Sequence, residues 1–438
     1  MRYFKRLTFW KPNGPIYLYI NGESPAASDW IEIDSLLTCQ LANETNGALF
    51  ASEHRYYGES MPVVMKDTSS MKYLSSKQAL ADLAALIKTI KSAPEFKSSK
   101  VVVIGGSYAG NLAAWMRVLY PDLVDAAVSS SGPVLAKKDF YEFFETVSDV
   151  YEKYGSSDCV NTLNKMFNHC AELLKTSSGI ERLKKELGIC DESDMSIVEN
   201  QAQYFFEVIG YYAAQSQYGN PDCIKRDCQS LQANDWARSM QKSVKFLKEL
   251  SSQHSTSVVK NLFQLNKWAR PKLSFKDSGC HHVDFREVVE NMKVNKNNDC
   301  LYSWTYQTCT EFGYYQTTNS NKQAFSHLVP LDYYIKLCKG VFGEDFNEKR
   351  VDDGVAQTNA LYGGITPNVT NVVFTHGDMD PWHRLGVLED LSETAVVRIT
   401  NGTSHCAALL SPDASDPDAL TKDREYVKKI IKKWINSA

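Results

Sequence analysis

The sequence predicts an α/β fold whose two sheet-forming halves are separated along the chain by a long, mostly helical insertion. Three observations carry this. Strand-like runs alternate with amphipathic helical segments over residues 1–134, the alternation returns over residues 351–438, and helical patterns and cysteines dominate residues 135–350 between them. Alternating strands and helices imply parallel pairing through helical crossovers, and 438 residues are enough for a core plus a second body inserted into it.

Ile16 to Ile20 is a short β-branched and aromatic run ending at the turn signal Asn21-Gly22, and Ala48 to Ser52 is a second apolar run. Ser75 and Gln78 have the spacing of a capping box. Leu80, Leu83, Ile87 and Ile90 then recur at threes and fours, so a helix starting at Ser75 has one apolar face. Val101 to Ile104 is continuously apolar, as a strand buried on both faces must be. A helix over Asn111 to Leu119 stops before Pro121, and Leu123 to Val128 reads as the next strand. Past Pro133, Phe140–Tyr154 and Ser239–Leu250 read as amphipathic helices of the insertion. Asn371 to Thr375 and Ala395 to Thr400 resume the strand pattern, each followed by a glycine-containing loop. The last helix runs from about Thr421, with Val427, Ile430, Ile431 and Trp434 on one face.

Composition excludes several classes. Hydrophobic residues at 43% and charged residues at 23% describe an ordinary globular chain. The net charge is −4 with both signs interspersed and no long basic run, so nucleic acid is not expected as a partner. No apolar stretch approaches the roughly 18–20 residues that span a bilayer, so no membrane is expected either. Of eleven cysteines, nine lie between Cys159 and Cys338, and none form the paired C-x-x-C elements of a zinc ribbon. Disulfides in an oxidising compartment are the expectation, concentrated in the middle of the chain. Glycosylation sequons at Asn43, Asn368 and Asn401 point to the same secretory route, lysosomal or extracellular. The opening MRYFKRLTFW has no apolar core of a signal peptide, so the natural start is expected upstream. No cofactor is expected. Cys280-His281-His282 is not read as a metal site, because adjacent histidines point apart. The aromatic run Tyr302, Trp304, Tyr306, Phe312, Tyr314 and Tyr315 reads as core of the insertion, with substrate contact as the alternative.

Chemistry concentrates at Gly105-Gly106-Ser107-Tyr108-Ala109-Gly110. A strand enters and a helix leaves, the context of a nucleophile elbow, and the residues two before and two after the serine are small, as so tight a turn demands. Such enzymes place an acid and then a histidine after later strands. Here Asp378 and Asp380 follow the run at 371–375, and His405 follows the run at 395–400. This order predicts an α/β-hydrolase core with a helical cap inserted, and sites at the carboxyl ends of the strands. Only His383 and His405 of the nine histidines lie beyond both aspartates, and His383 shares their loop. Ser107 is then the expected nucleophile and His405 the base, with one of the two aspartates orienting it. The oxyanion donors are expected from the backbone of Tyr108 and from Gly22 or Glu23 in the loop after the first strand. Cys406, beside the base, is read as a disulfide partner or a buried thiol rather than a reactive one.

With these residues placed, the chain resembles the serine carboxypeptidases that include lysosomal Pro-X carboxypeptidase, dipeptidyl peptidase II and thymus-specific serine protease, the last most closely. The resemblance runs through Arg2-Tyr3-Phe4, Glu53-His54-Arg55-Tyr56-Tyr57-Gly58, Tyr73 to Ala84, Gly105 to Trp115, Tyr306 to Gly313, Gly377 to Trp382 and Gly402 to Cys406. It implies that the acid is the aspartate of Asp380-Pro381-Trp382, with Ser107 and His405 completing the triad, and that Trp382 walls a proline-sized pocket. It implies a peptide-cleaving exopeptidase, carboxypeptidase or dipeptidyl peptidase, with a preference for proline, and leaves a homodimer open. An esterase, an endopeptidase and a silent peptide-binding relative are the alternatives. Two departures stand out: Asn21-Gly22-Glu23-Ser24 replaces the usual Gly-Gly-Glu-Gly, and Ala407-Ala408 stand where an acidic residue is common.

Overall fold

The computed structural model describes residues 1–231, 237–241, 274–275, 280–296 and 300–436. Among them the strands run, in chain order, β1 (Tyr3–Arg6), β2 (Ile16–Ile20), β3 (Ala48–Ser52), β4 (Val101–Gly106), β5 (Ala126–Ser130), β6 (Lys137–Asp139), β7 (Ser274–Phe275), β8 (His281–His282), β9 (Gly313–Tyr315), β10 (Val372–Gly377) and β11 (Ala395–Thr400). The chain divides into two compact units, Met1–Ala136 with Val355–Ala438, and Lys137–Gly354.

The first unit is built on a seven-stranded sheet in the order β1-β3-β2-β4-β5-β10-β11. Every neighbouring pair is parallel except β1 with β3. A parallel sheet is covered on both faces, which is why β2 and β3 are buried at every residue and read as unbroken apolar runs. This parallel order, wrapped by helices, is an α/β-hydrolase core.

The local differences from the sequence reading have clear causes. The helix expected from Ser75 spans Ser76–Lys91, and the Ser75 hydroxyl accepts the Gln78 N–H at 3.3 Å. The reciprocal half of the box is not made, because the Gln78 side-chain carbonyl accepts from Arg55 Nη1 at 2.6 Å. The helix expected from Asn111 begins earlier and spans Tyr108–Leu119, starting directly after the elbow serine. Strand β5 begins at Ala126, since Leu123 and Val124 donate back to the Tyr120 carbonyl in a turn. The final helix, Asp418–Asn436, buries Val427, Ile431 and Trp434 as expected, with Ile430 half-buried.

The second unit is mostly helical, with long helices at Glu142–Tyr154, Ser157–Leu173 and Val198–Tyr218. The helix expected over Ser239–Leu250 lies outside the described residues beyond Gln241. Disulfides Cys159–Cys228, Cys190–Cys280 and Cys309–Cys338 staple this unit. Each closes a loop long enough to remove on the order of 3–5 kcal/mol of unfolded-state entropy. Cys39, Cys170, Cys223, Cys300 and Cys406 are unbridged. The aromatic run forms core: Phe312 and Tyr314 stack at 5.3 Å, Tyr302 meets Phe342 at 5.0 Å, and Tyr315 stacks on Tyr334 at 4.8 Å. Donor atoms of Cys190, Glu192 and His282 lie within 4.8 Å of one another, but Cys190 is bonded to Cys280 and has no thiolate to offer a metal. Among the described residues no helix is long and apolar enough to cross a membrane.

Candidate active site

Register brings three loops out side by side at the carboxyl edge of the sheet. Gly106 of β4 pairs with Ser130 of β5, Ser130 pairs with Thr375 of β10, and Gly377 of β10 pairs with Thr400 of β11. Ser107, Asp380 and His405 follow β4, β10 and β11 respectively.

Ser107 adopts φ 59° and ψ −134° at the turn from β4 into the helix Tyr108–Leu119. A non-glycine residue in so sparse a region costs about 1–3 kcal/mol, which the surrounding structure must hold in place. Backbone bonds hold it: Ser107 N–H donates to Ser130 O at 2.9 Å, and Ser107 O accepts from Gly110 N–H at 2.8 Å. The turn leaves no room at position 105, where a Cβ would lie 2.1 Å from the Ala109 carbonyl oxygen.

Asp380 is completely buried and His405 is 2% exposed. His405 Nδ1 donates to Asp380 Oδ2 at 2.7 Å, and Asp380 Oδ1 accepts the Trp382 N–H at 3.1 Å. An ionised carboxylate only accepts, so Nδ1 carries the hydrogen and Nε2 of the neutral ring keeps its lone pair. Burial works against the imidazolium, but the Asp380 carboxylate with its hydrogen bond, aided by Cys406, prevails and holds the ring well above its ordinary value.

The loop carrying His405 is brought to the elbow by its neighbour. A Cβ at Gly106 would lie 2.8 Å from Cys406 Sγ, so the residue before Ser107 and the residue after His405 pack against each other. Cys406 N–H donates to Ser131 Oγ at 2.8 Å, and its thiol is buried and unbridged. Of the two readings of Cys406 this leaves the buried thiol, there to fill the space that Gly106 leaves.

The two aspartates of the acid loop divide the work. Asp380 holds the imidazole. Asp378 Oδ1 accepts the Gly402 N–H at 2.7 Å, and Met379 N–H donates to Thr403 O at 3.1 Å, so the acid loop is stitched to the base loop. His383 donates from Nδ1 to the backbone oxygen of Asp380 at 2.6 Å. Trp382 is half-buried next to the acid.

The loop after β2 lies over the start of the elbow helix, where a Cβ on Gly22 would be 3.3 Å from Ala109 N and 3.4 Å from Tyr108 Cδ1. Glu23 is half-buried there. Burial raises its carboxyl above the usual range, while a hydrogen bond from its own backbone and the nearby His405 act against that rise. The loop carrying Gly22 and Glu23 therefore rests on the residues that directly follow Ser107. Ser131 and Asp378 in its loop-joining role escaped the sequence reading. Neither carries a periodic or motif signal, and each acts only through a neighbour distant in the chain.

The chain resembles known proteins along nearly its whole length. A family model described as serine carboxypeptidase S28 matches residues 1–427. A Caenorhabditis elegans protein named as a serine protease is 33% identical over 445 residues, covering 100% of this chain and 84% of its own. Thymus-specific serine protease of Mus musculus is 30% identical over 430 residues, covering 96% of this chain and 80% of its own. Lysosomal Pro-X carboxypeptidase of Homo sapiens is 28% identical over 451 residues, covering 99% and 84%.

Proposed function

The chain belongs to the serine carboxypeptidase S28 family and is a serine peptidase, and on that premise we propose that it is an exopeptidase cutting peptides beside proline through an acyl-enzyme on Ser107. The observation that carries the reading is the buried 2.7 Å bond between His405 Nδ1 and Asp380 Oδ2, on a loop whose next residue packs against the residue preceding Ser107.

The chemistry follows from the tautomer. Ser107 Oγ attacks the scissile carbonyl carbon as its proton passes to His405 Nε2. The carbonyl oxygen becomes an oxyanion and takes hydrogen bonds from the Tyr108 N–H and from the N–H of Gly22 or Glu23. Collapse breaks the C–N bond, and the imidazolium returns the proton to the leaving amine. A water then repeats the sequence on the acyl-enzyme, releasing the acid and restoring Ser107. Asp380 stays ionised throughout and keeps Nδ1 protonated.

Two features support the preference for proline. One human relative is named a Pro-X carboxypeptidase, and the half-buried Trp382 stands beside the acid, where a flat indole can face a pyrrolidine ring. Trp382→Ala is expected to raise KM for proline peptides by about 3- to 10-fold with a smaller change for alanine analogues. Equal kinetics on both substrates would remove Trp382 from the pocket.

Three disulfides support a secretory or lysosomal route. So do the exposed sequon asparagines Asn43, Asn368 and Asn401. The exopeptidase reading is tested with one proline peptide prepared with both ends free, with either end blocked, and with both blocked. Blocking the recognised terminus is expected to stop cleavage, because a capture site for a terminal charge loses its ligand. Cleavage of the doubly blocked peptide at an undiminished rate would make the enzyme an endopeptidase instead.

A further inference from the structure

His54 follows strand β3 and is 3% exposed, while Tyr108, the residue after Ser107, is 1% exposed. Their side chains meet: His54 Nε2 lies 3.0 Å from the Tyr108 hydroxyl. The direction of that bond is fixed by the other ring nitrogen. His54 Nδ1 lies 2.7 Å from the Arg55 carbonyl oxygen, which can only accept, so Nδ1 carries the hydrogen of the neutral ring. Nε2 is then an acceptor and the phenol donates to it. Burial lowers the imidazole to about 4, with the Arg55 carbonyl and Asp82 pulling upward and the Arg55 charge downward, so the ring stays neutral at ordinary pH.

The Tyr108 ring has a second neighbour. A Cβ on Gly22 would stand 3.4 Å from its Cδ1. The loop carrying Gly22 and Glu23 thus rests on the same ring that His54 pins by its hydroxyl. Tyr108 supplies one oxyanion donor from its own backbone, and its side chain is the surface against which the loop of the second donor is set. The two donors follow β2 and β4, whose pairing ends at Tyr19 with Ile104, so beyond it their spacing is set by packing between the two loops. That packing is against the Tyr108 ring and the Ala109 backbone together.

We propose that His54 is a positioning residue for the oxyanion hole, acting through its hydrogen bond to the Tyr108 hydroxyl to hold both backbone donors at the spacing the tetrahedral intermediate requires. The inference rests on reading Ser107 as nucleophile and the Tyr108 N–H as a donor. A buried phenol needs a partner for stability alone, so the test must separate stability from transition-state geometry.

Three variants are compared with wild type: His54→Phe, which cannot accept; His54→Gln, whose side-chain carbonyl can; and Tyr108→Phe, which deletes one oxygen. The readouts are kcat, KM, thermal midpoint and inhibition by a peptide aldehyde, whose adduct with the serine places an oxyanion in the hole. His54→Phe is expected to lower kcat by about 10- to 100-fold with KM within about twofold, the range for a donor displaced rather than deleted. It should weaken the aldehyde by a similar factor and leave the affinity of a cleaved-product peptide unchanged. His54→Gln should recover most of both losses. Tyr108→Phe should match His54→Phe, and reads the same bond if His54→Phe fails to fold. The inference is overturned if Tyr108→Phe and any folded His54→Phe keep wild-type kcat and aldehyde affinity, or lose thermal stability without the kcat effect. Ser107→Ala keeps the two levels apart. If it still cleaves peptides, the nucleophile reading is wrong. If it is inert while the His54 and Tyr108 variants are normal, only the positioning role fails.

Discussion

Ser107→Ala is expected to lower kcat by about 10⁶-fold and to abolish labelling by a fluorophosphonate probe, with the thermal midpoint unchanged or higher. The magnitude is that seen when the nucleophile of a serine protease is removed and only binding and the oxyanion donors are left. The stability expectation has a separate origin. Ser107 is held at φ 59°, and no bond from its side chain contributes to holding the turn, which is closed by backbone groups donating to Ser130 O and accepting from Gly110 N–H. Removing the oxygen therefore disturbs chemistry and leaves the elbow intact. A variant that folds, binds substrate and still labels at the wild-type rate would mean that another residue is the nucleophile.

Asp380→Asn is expected to lower kcat by about 10⁴-fold and to move the acid limb of the pH profile to lower pH. The loss arises because an amide presents a donor to Nδ1 as readily as an acceptor, which permits the wrong tautomer. The sign of the pH shift follows from the opposing effects on His405. Burial lowers its pKa, Asp380 and after it Cys406 raise it, and the rise prevails. Without the carboxylate the larger raising influence is gone and Cys406 alone opposes burial, so the imidazolium deprotonates at lower pH and the neutral base survives further into acid. In the wild type, kcat/KM should rise as pH increases through the raised value of His405. An acid limb in the same place for Asp380→Asn would show that this carboxylate does not govern the base.

Much of this was legible along the chain because it depends on short range. Strands β2 and β3 occupy the residues their apolar patterns indicate, since a strand buried on both faces has little freedom in what it contains. The elbow was visible because its sterics act within five residues: the Cβ that position 105 cannot hold would strike Ala109. Element boundaries moved where a tertiary partner intervened. Gln78 gave up its capping role to Arg55, and β5 was shortened by the turn at Tyr120. The choice between Asp378 and Asp380 illustrates the same limit. Both sit in one loop after one strand, so spacing leaves them equal and the resemblance alone favours Asp380; folding adds that His405 Nδ1 bonds Asp380 while Asp378 ties the neighbouring loop through Gly402.

Read alone, the chain establishes an α/β core, an elbow serine, the order in which acid and histidine follow it, and the kinship its motifs carry, because each of these is written in neighbouring residues or in the succession of strands. Folding decides the rest: that Gly106 meets Cys406, that His54 reaches Tyr108, and that Gly22 settles on the same ring. Those partners are separated by tens to hundreds of residues, and what joins them is sheet order and register rather than any local pattern.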